Sequence, residues 1–327
     1  MQRGAVSGVV QRFLAFLDDQ ELTGRSVGVA FSGGRDSSAL AISAIEARNA
    51  GRLSPVLVHV DHGVRPDSKE DRAVVREAAD RLGAELMSVD LDSLGTHSTE
   101  AEMREARYLS LHQALAPLGV DTVLTGHHAR DQAETVLLHL ARGQGLEGAT
   151  GISPREPLRF GDIAIHLVRP FLHEDPVALA DLVATYGLPF VEDPTNLLVD
   201  RARNLVRHQV LPVLCDINSG AVINIARSTD ILRDEDEFLA AIADSATTAV
   251  THASVLDGVA LNHETVAIQR RVIRRWVTRE TAMELTFDRT EAIRELAQAG
   301  TGNVMLEIGE GWIARQIQRQ ITLHRSK

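Results

Sequence analysis

The hexapeptide Ser32-Gly33-Gly34-Arg35-Asp36-Ser37 joins an apolar run at 26–31 (SVGVAF) to an Ala-rich segment of helical character at 36–49. A strand-to-helix turn of this composition suits an anion. Its backbone N–H groups and the helix N-terminus point outward, Gly33 and Gly34 allow close approach, and Ser32 and Ser37 add hydroxyl donors. Asp36 offers a carboxylate for a magnesium ion bridging phosphates. The Gly-Lys-Ser/Thr ending of a P-loop and the Gly-x-Gly-x-x-Gly of dinucleotide folds are both missing, which weakens phosphate-transfer and NAD readings. A double glycine alone would also serve as a plain capped turn; the strand before it and the helix after it favour the anion site.

A second cluster, Thr125-Gly126-His127-His128-Ala129-Arg130-Asp131-Gln132-Ala133-Glu134-Thr135, again runs from a strand into a helix. His127 and Asp131 lie four apart and Asp131 and Glu134 three apart, so a helix would project them from one face. Such a face can transfer protons, offer Asp131 as a second magnesium contact, or bind an ammonium group; a capped helix start with solvated acids has the same spacing. Asp61 and His62, at the end of 56–60 (VLVHV), add polar groups to the same edge, while His59 and His62 lack the third partner that zinc needs. Arg203 and Arg207, four apart, suit phosphates, although charge runs are commonly solvated faces.

The elements that position these residues alternate. Strands at 26–31, 56–60, 85–91, 122–125 and 165–168 are interleaved with helices at 36–49, 69–82, 99–115, 129–142 and 177–186. This predicts an α/β fold, a doubly wound parallel sheet with its strand-to-helix loops along one ligand-binding edge. The glycine-rich stretch 143–157 reads as a loop, and 201–214 as a helix with Pro212 near its end. Past a boundary near Leu214 the alternation stops: helices at 221–249 and 263–279 precede a hairpin at 304–323 turning at 309–311. The expected domains are therefore 1–214 and a smaller, mainly helical 215–327. Val6, Val9, Val10, Phe13, Leu14 and Leu17 share one face of a packed N-terminal helix.

Composition narrows the function classes. The 327 residues carry 34 basic and 45 acidic side chains, a net charge of −11, with all the excess upstream of residue 201. Global acidity argues against indiscriminate coating of nucleic acid, although a local basic face can still hold phosphates. Cys215 is the single cysteine, which excludes a disulfide within the chain, a Cys-x-x-Cys pair and any thiolate-rich metal site. No apolar run approaches a membrane span, so a cytoplasmic protein without membrane contact is expected. The segment 264–280 (ETVAIQRRVIRRWVTRE) sets Arg270 with Arg274 and Arg271 with Arg275 in i,i+4 register, as a phosphate contact or a solvated face; Val266, Val272, Ile273 and Trp276 read as core. With 4% aromatic residues, base stacking is not the main grip.

The Ser-Gly-Gly-x-Asp-Ser signature at 32–37 resembles that of the pyrophosphatase-loop (PP-loop) family, whose members split ATP to AMP and pyrophosphate. Further pieces follow in order: 58–65, 102–108 with Arg104 and Arg107, 125–135, Arg169-Pro170-Phe171-Leu172, and 192–212 with Arg203-Asn204 and Arg207-His208. Together they resemble the tRNA(Ile)-lysidine synthetase branch across 27–214. The resemblance implies adenylation of the C2 oxygen of the wobble cytidine in a CAU-anticodon isoleucine tRNA, then attack by the side-chain amine of free lysine. It implies ATP and Mg2+ as cofactors, the tRNA and L-lysine as partners, and leaves room for a homodimer. ATP would be bound by Ser32, Gly33, Gly34, Arg35, Asp36, Ser37, Asp61, His62 and Gly126, and metal by Asp36 and Asp131. The catalytic set would be Asp36, His127, Asp131, Glu134, Arg203 and Arg207. Arg104, Arg107, Arg270, Arg271, Arg274 and Arg275 would contact tRNA.

Arg130 departs from the branch, standing where an acidic residue is frequent. Longer members also carry an additional C-terminal domain, whereas this chain is expected to stop after one, with tRNA clamping managed by less protein. Thiolation branches need catalytic cysteines or an iron–sulfur cluster, which Cys215 alone does not supply. GMP synthetase would bring a glutaminase cysteine or a different dimerisation domain, and argininosuccinate and NAD synthetases lack the His-His-x-x-Asp-Gln cluster. A nucleotide-sensing module without chemistry would not need Asp36, Asp131 and Glu134 together.

Overall fold

The computed structural model describes residues 7–61, 68–91, 100–161, 163–191, 201–300 and 302–326. The chain divides between Thr229 and Asp230 into two compact units. That division falls downstream of the expected Leu214, inside a helix that runs on from one unit into the next.

The first unit opens with α1 (Gly8–Asp19), capped by the Ser7 hydroxyl, which accepts from the Val9 N–H at 3.3 Å. It buries Val9, Val10, Phe13 and Leu17, the expected face; Val6 lies outside the described residues. Then follow β1 (Ser26–Ala30), α2 (Arg35–Asn49), β2 (Ser54–Asp61), α3 (Ser68–Arg81), β3 (Leu86–Asp90), α4 (Glu100–Leu115), β4 (Thr122–Leu124), α5 (Ala129–Ala141), α6 (Gly145–Ala149), β5 (Arg155–Phe160), β6 (Ile163–Val168) and α7 (Pro176–Tyr186). The sheet order is β3-β2-β1-β4-β6-β5, parallel throughout except for β5, which runs antiparallel to β6.

Alternate residues of the strands face opposite cores. Val27, Val29, Phe31 and Leu57 pack with α1, α2, α3 and α7, whereas Val58, Val123, Ile165 and Leu167 pack with Tyr108, Leu111 and Leu115 of α4. The sheet is thus covered on both faces, which is why β1 reads as an unbroken apolar run. Connections leave β1 in one direction and reach β4 from the other, so the crevice between the C-terminal ends of β1 and β4 is the topological switch point where open α/β sheets bind ligands.

Two elements depart from expectation. The stretch 143–157 is not all loop: it holds α6 and the start of β5, an edge strand that tolerates Pro157 because an edge residue needs no ladder N–H on its outer side. The helix expected over 201–214 is broken into α8 (Arg201–Leu205), a π-turn at Val206–Val210 and α9 (Leu211–Ile217). The wider register falls just ahead of Pro212, where a missing N–H disrupts regular pairing.

The long helix α10 (Ala221–Val250) leads into the second unit, with β7 (Thr251–His252), β8 (Val255–Asp257), α11 (Gly258–Asn262), α12 (Val266–Thr281), α13 (Phe287–Gln298), β9 (Asn303–Gly309), β10 (Trp312–Ile317) and β11 (Gln320–Arg325). The expected hairpin is the β9–β10 part of a five-stranded antiparallel sheet, order β7-β8-β11-β10-β9, so this unit combines helices with a sheet. Its core gathers Val272, Ile273, Trp276 and Val277 of α12 against Ile293, Leu296, Ile308, Ala314 and Ile321. Val266, expected in that core, is exposed at the first turn of α12. Among the described residues no single helix is long and apolar enough to cross a membrane.

Candidate active site at the switch point

The turn after β1 closes on itself. Ser32 Oγ lies 3.1 Å from Ser37 Oγ, and the Ser37 hydroxyl donates to the Gly34 carbonyl at 2.9 Å. Gly33 sits at φ +84°, where a side chain would be strained, and a Cβ there would stand 2.5 Å from Cγ2 of Val75. Gly34 is the N-cap of α2 and supplies no side-chain acceptor of its own, so the N-terminus of this helix carries no side-chain cap. Arg35 turns aside, its guanidinium 5.0 Å from the Phe190 ring centroid, whereas the Asp36 side chain remains 45% exposed.

The loop after β4 meets this turn at Gly126. A Cβ there would lie 3.1 Å from both C and O of Asp36 and 3.3 Å from the Ser37 N, so any side chain would force one of the two backbones to give by a few tenths of an ångström. This contact brings both sequence clusters to one edge.

The expected single helical face of His127, Asp131 and Glu134 is corrected by where α5 begins. The helix starts at Ala129, so His127 precedes it, and Nδ1 of its half-buried ring lies 3.0 Å from Thr125 Oγ1. Burial, aided by Arg169, Arg104 and Arg203 and opposed by Asp131, pushes the His127 pKa down to about 4, so the ring is neutral at neutral pH. His128 is the N-cap: its N–H donates to Asp131 Oδ2 at 3.0 Å, and its buried ring places Nδ1 3.3 Å from that carboxylate and Nε2 3.5 Å from Asp36 Oδ2. Burial disfavours charging this ring, but the two carboxylates outweigh it and raise the pKa. Burial likewise opposes ionising Asp131, and the charge and backbone N–H of His128 together with Arg207 overcome it, holding that carboxyl below its ordinary range. His128 went unnoticed in the sequence, although an acid three residues after it is a capping signal.

Glu134 is wholly buried. Arg207 donates to both its oxygens at 2.6 and 3.0 Å, and Arg203 approaches at 3.4 Å while donating to Thr135 Oγ1 at 3.1 Å. Arg207 also lies 3.6 Å from Asp131. α8 and the π-turn that follows it thus deliver one arginine each, Arg203 and Arg207, from outside the α5 segment onto its carboxylates.

Other expected site residues lie elsewhere. Asp61, buried at the end of β2, pairs with Arg72, which also reaches Asp90. His62 lies outside the described residues, as do 63–65 and 192–196. Arg104 stands 5.5 Å from the Tyr108 ring centroid and 3.8 Å from Glu156, and Arg107 is exposed on α4. In the second unit Arg270 donates to Glu291 at 2.7 and 3.2 Å, Arg271 to Asp236 at 2.6 Å, and Arg275 lies 3.1 Å from Asp244, while Arg274 is exposed.

Metal chemistry is tested by the donors present. Among the described residues no three His, Cys, Asp or Glu side chains form a metal-holding group. Mg2+, however, needs only one or two carboxylates plus phosphate oxygens and water, and the exposed Asp36 carboxylate beside the turn fits. Asp131, only 19% exposed beside His128 and Arg207, leaves less room for a hydrated Mg2+ ion.

A family profile described as "PP-loop domain" matches residues 6–214, and one described as "TilS substrate binding domain" matches 256–320. The tRNA(Ile)-lysidine synthase of Symbiobacterium thermophilum is 35% identical over 307 residues, 88% of this chain and 63% of that protein. That of Mycolicibacterium paratuberculosis is 36% identical over 286 residues, 86% of this chain and 83% of the relative. In fold, a solved U34-tRNA thiolase from Methanococcus maripaludis with its [4Fe-4S] cluster superposes with a TM-score of 0.58 at 16% identity, covering 69% of this chain and 78% of that one. One cysteine in 327 residues does not supply the thiolates such a cluster takes. With its PP-loop domain, its second matched domain and these relatives, the chain belongs to the tRNA(Ile)-lysidine synthase family.

Proposed function

We propose that this chain joins lysine to C2 of the wobble cytidine in a CAU-anticodon isoleucine tRNA, consuming ATP and releasing AMP and pyrophosphate. The observation that carries the reading is the Gly126–Asp36 backbone contact, which sets the anion-binding turn beside the His128–Asp131–Glu134 cluster at the switch point. The turn binds the β- and γ-phosphates, and its N–H groups stabilise the charge that gathers on pyrophosphate as the cytidine C2 oxygen attacks the α-phosphorus. The lysine amine then attacks C2, the C2–O bond breaks and AMP departs. Asp36 would hold Mg2+, which when bound would neutralise phosphate charge.

Glu134 is enclosed and taken up by Arg207 and Arg203, so we assign it to holding those guanidiniums toward the adenylate phosphate rather than to lysine. Asp131, 19% exposed, takes the lysine ammonium. Neutral His127 lines the activated cytidine. The second unit, which contains the matched substrate-binding domain, contributes to tRNA recognition.

Incubation with labelled lysine, ATP–Mg2+ and the CAU tRNA tests this: label enters the tRNA and pyrophosphate appears only when all components are present. Pyrophosphate release without tRNA or without lysine incorporation overturns it. Asp36→Ala is expected to abolish turnover while the protein still melts cooperatively.

A further inference from the structure

We propose that His128 is a positioning residue that holds the Asp36 carboxylate of the ATP-binding turn in place against the start of α5. This role rests on the assignment of that turn to ATP.

The ring is fixed by its surroundings. The backbone N–H of His128 is tied to Asp131, its backbone forms a parallel bridge with Phe171, and the next N–H, of Ala129, donates to the Glu174 carbonyl at 3.1 Å. Glu174 in turn accepts from Arg12 through both carboxylate oxygens at 2.6 Å, so the capping segment is anchored to α1. From this fixed base the imidazole spans two carboxylates, one nitrogen toward Asp131 and the other toward Asp36.

Asp36 needs such a partner. It sits in the first turn of α2 with its side chain about half exposed, where more than one rotamer is open, and among the described residues its one ion pair is with His128. The neighbouring His127 does not substitute, because its Nδ1 is directed to Thr125. The arrangement therefore fixes one carboxylate at the nucleotide and one beside the lysine site through a single buried ring, and α5 and the turn keep a common geometry.

The test uses the full chain and two variants. His128→Asn keeps a good N-cap but does not span both carboxylates, and His128→Gln is a second probe should the first fold poorly. Binding of Mg·ATP is measured by calorimetry without tRNA or lysine, together with melting and the separate KM values for ATP and lysine. In the variants the Kd and KM for ATP are expected to rise on the order of tenfold, as for a pair in direct contact, while KM for lysine changes less, because Asp131 keeps the hydrogen bond from the backbone N–H of residue 128. In the Asp36→Asn background the His128 substitution adds no further loss of ATP binding. Unchanged ATP binding in folded variants, or losses that add fully in the double variant, overturns the role. A wild-type chain that binds no ATP overturns the ATP assignment instead, and this role with it.

Discussion

Gly126 and Asp36 touch backbone to backbone: a methyl group on Gly126 would stand 3.1 Å from the carbonyl carbon and oxygen of Asp36. Neither partner is a flexible side-chain tip, so Gly126→Ala must push the α5 segment away from the ATP turn by a few tenths of an ångström. Overpacking of this kind costs ~1–3 kcal/mol of stability, and misplacement of reacting groups by up to an ångström costs up to roughly a hundredfold in rate. The variant is expected to remain folded at 25 °C while pyrophosphate release falls at least tenfold. Wild-type turnover would show that the two loops move independently.

Which parts of this arrangement the sequence displays follows from the range of the forces involved. The strand-turn-helix at 26–49 is visible because an apolar run, a glycine pair and an Ala-rich segment are all local signals. β5 is not: Arg155–Phe160 alternates only weakly and contains Pro157, and it becomes a strand by pairing with β6 at the sheet edge. The part played by His128 depends on α5 starting at Ala129 rather than at His127, a shift that reassigns the Asp36 contact between adjacent, chemically identical rings. The i,i+4 arginines of α12 look the same whether they face phosphates or carboxylates. Asp236, Asp244 and Glu291 reach Arg271, Arg275 and Arg270 from other helices, which no spacing within α12 reveals. β7 and β8, two and three residues long, are too short to announce themselves.

Gly33 faces two separate obstacles to substitution, its φ of +84° and the Val75 side chain, which would stand 2.5 Å from an added Cβ. Val75→Ala removes only the second. Gly33→Ala is expected to weaken ATP binding and lower stability, and the Gly33→Ala/Val75→Ala double variant relieves the crowding without restoring affinity, because the backbone strain persists. Calorimetric titration with ATP separates the two effects; full recovery of binding in the double variant would show that crowding alone requires the glycine.

In the second unit, hydrogen bonds from Arg270 and then Arg294 hold Glu291 well below its ordinary value of 4.5, at about 2. Its folded-state pKa is depressed, so the stabilisation is complete above 4.5 and is withdrawn as pH falls from there through about 2. Glu291→Gln should therefore flatten the acid limb of stability against pH, with little difference from wild type near pH 2 and a clear loss at pH 7. Urea unfolding at several pH values reads this directly, and parallel curves for the two proteins would refute the assignment. Arg270→Ala should lose the same limb, which distinguishes a structural arginine from one whose removal alters only tRNA affinity and its salt dependence.

Glu134 carries the densest charge interaction of the site, and its removal tests how the arginines are held. In Glu134→Ala Arg207 loses its bidentate buried acceptor and Arg203 a nearby buried counter-charge. Breaking a fully buried pair costs ~3–5 kcal/mol; here Arg207 and Arg203 are 29% and 37% exposed, so water recovers part of the loss and ~1–3 kcal/mol is expected. Glu134→Gln preserves the shape and one acceptor and should retain most of the stability, yet it relaxes the bidentate fork that fixes Arg207. If Glu134 acts by aiming that fork, Glu134→Gln and Arg207→Lys each reduce the rate of tRNA-dependent AMP release more than tenfold, and combining them adds little, because both remove the same geometry. A rise in the lysine KM with kcat unchanged in Glu134→Gln would instead make Glu134 the lysine-binding carboxylate.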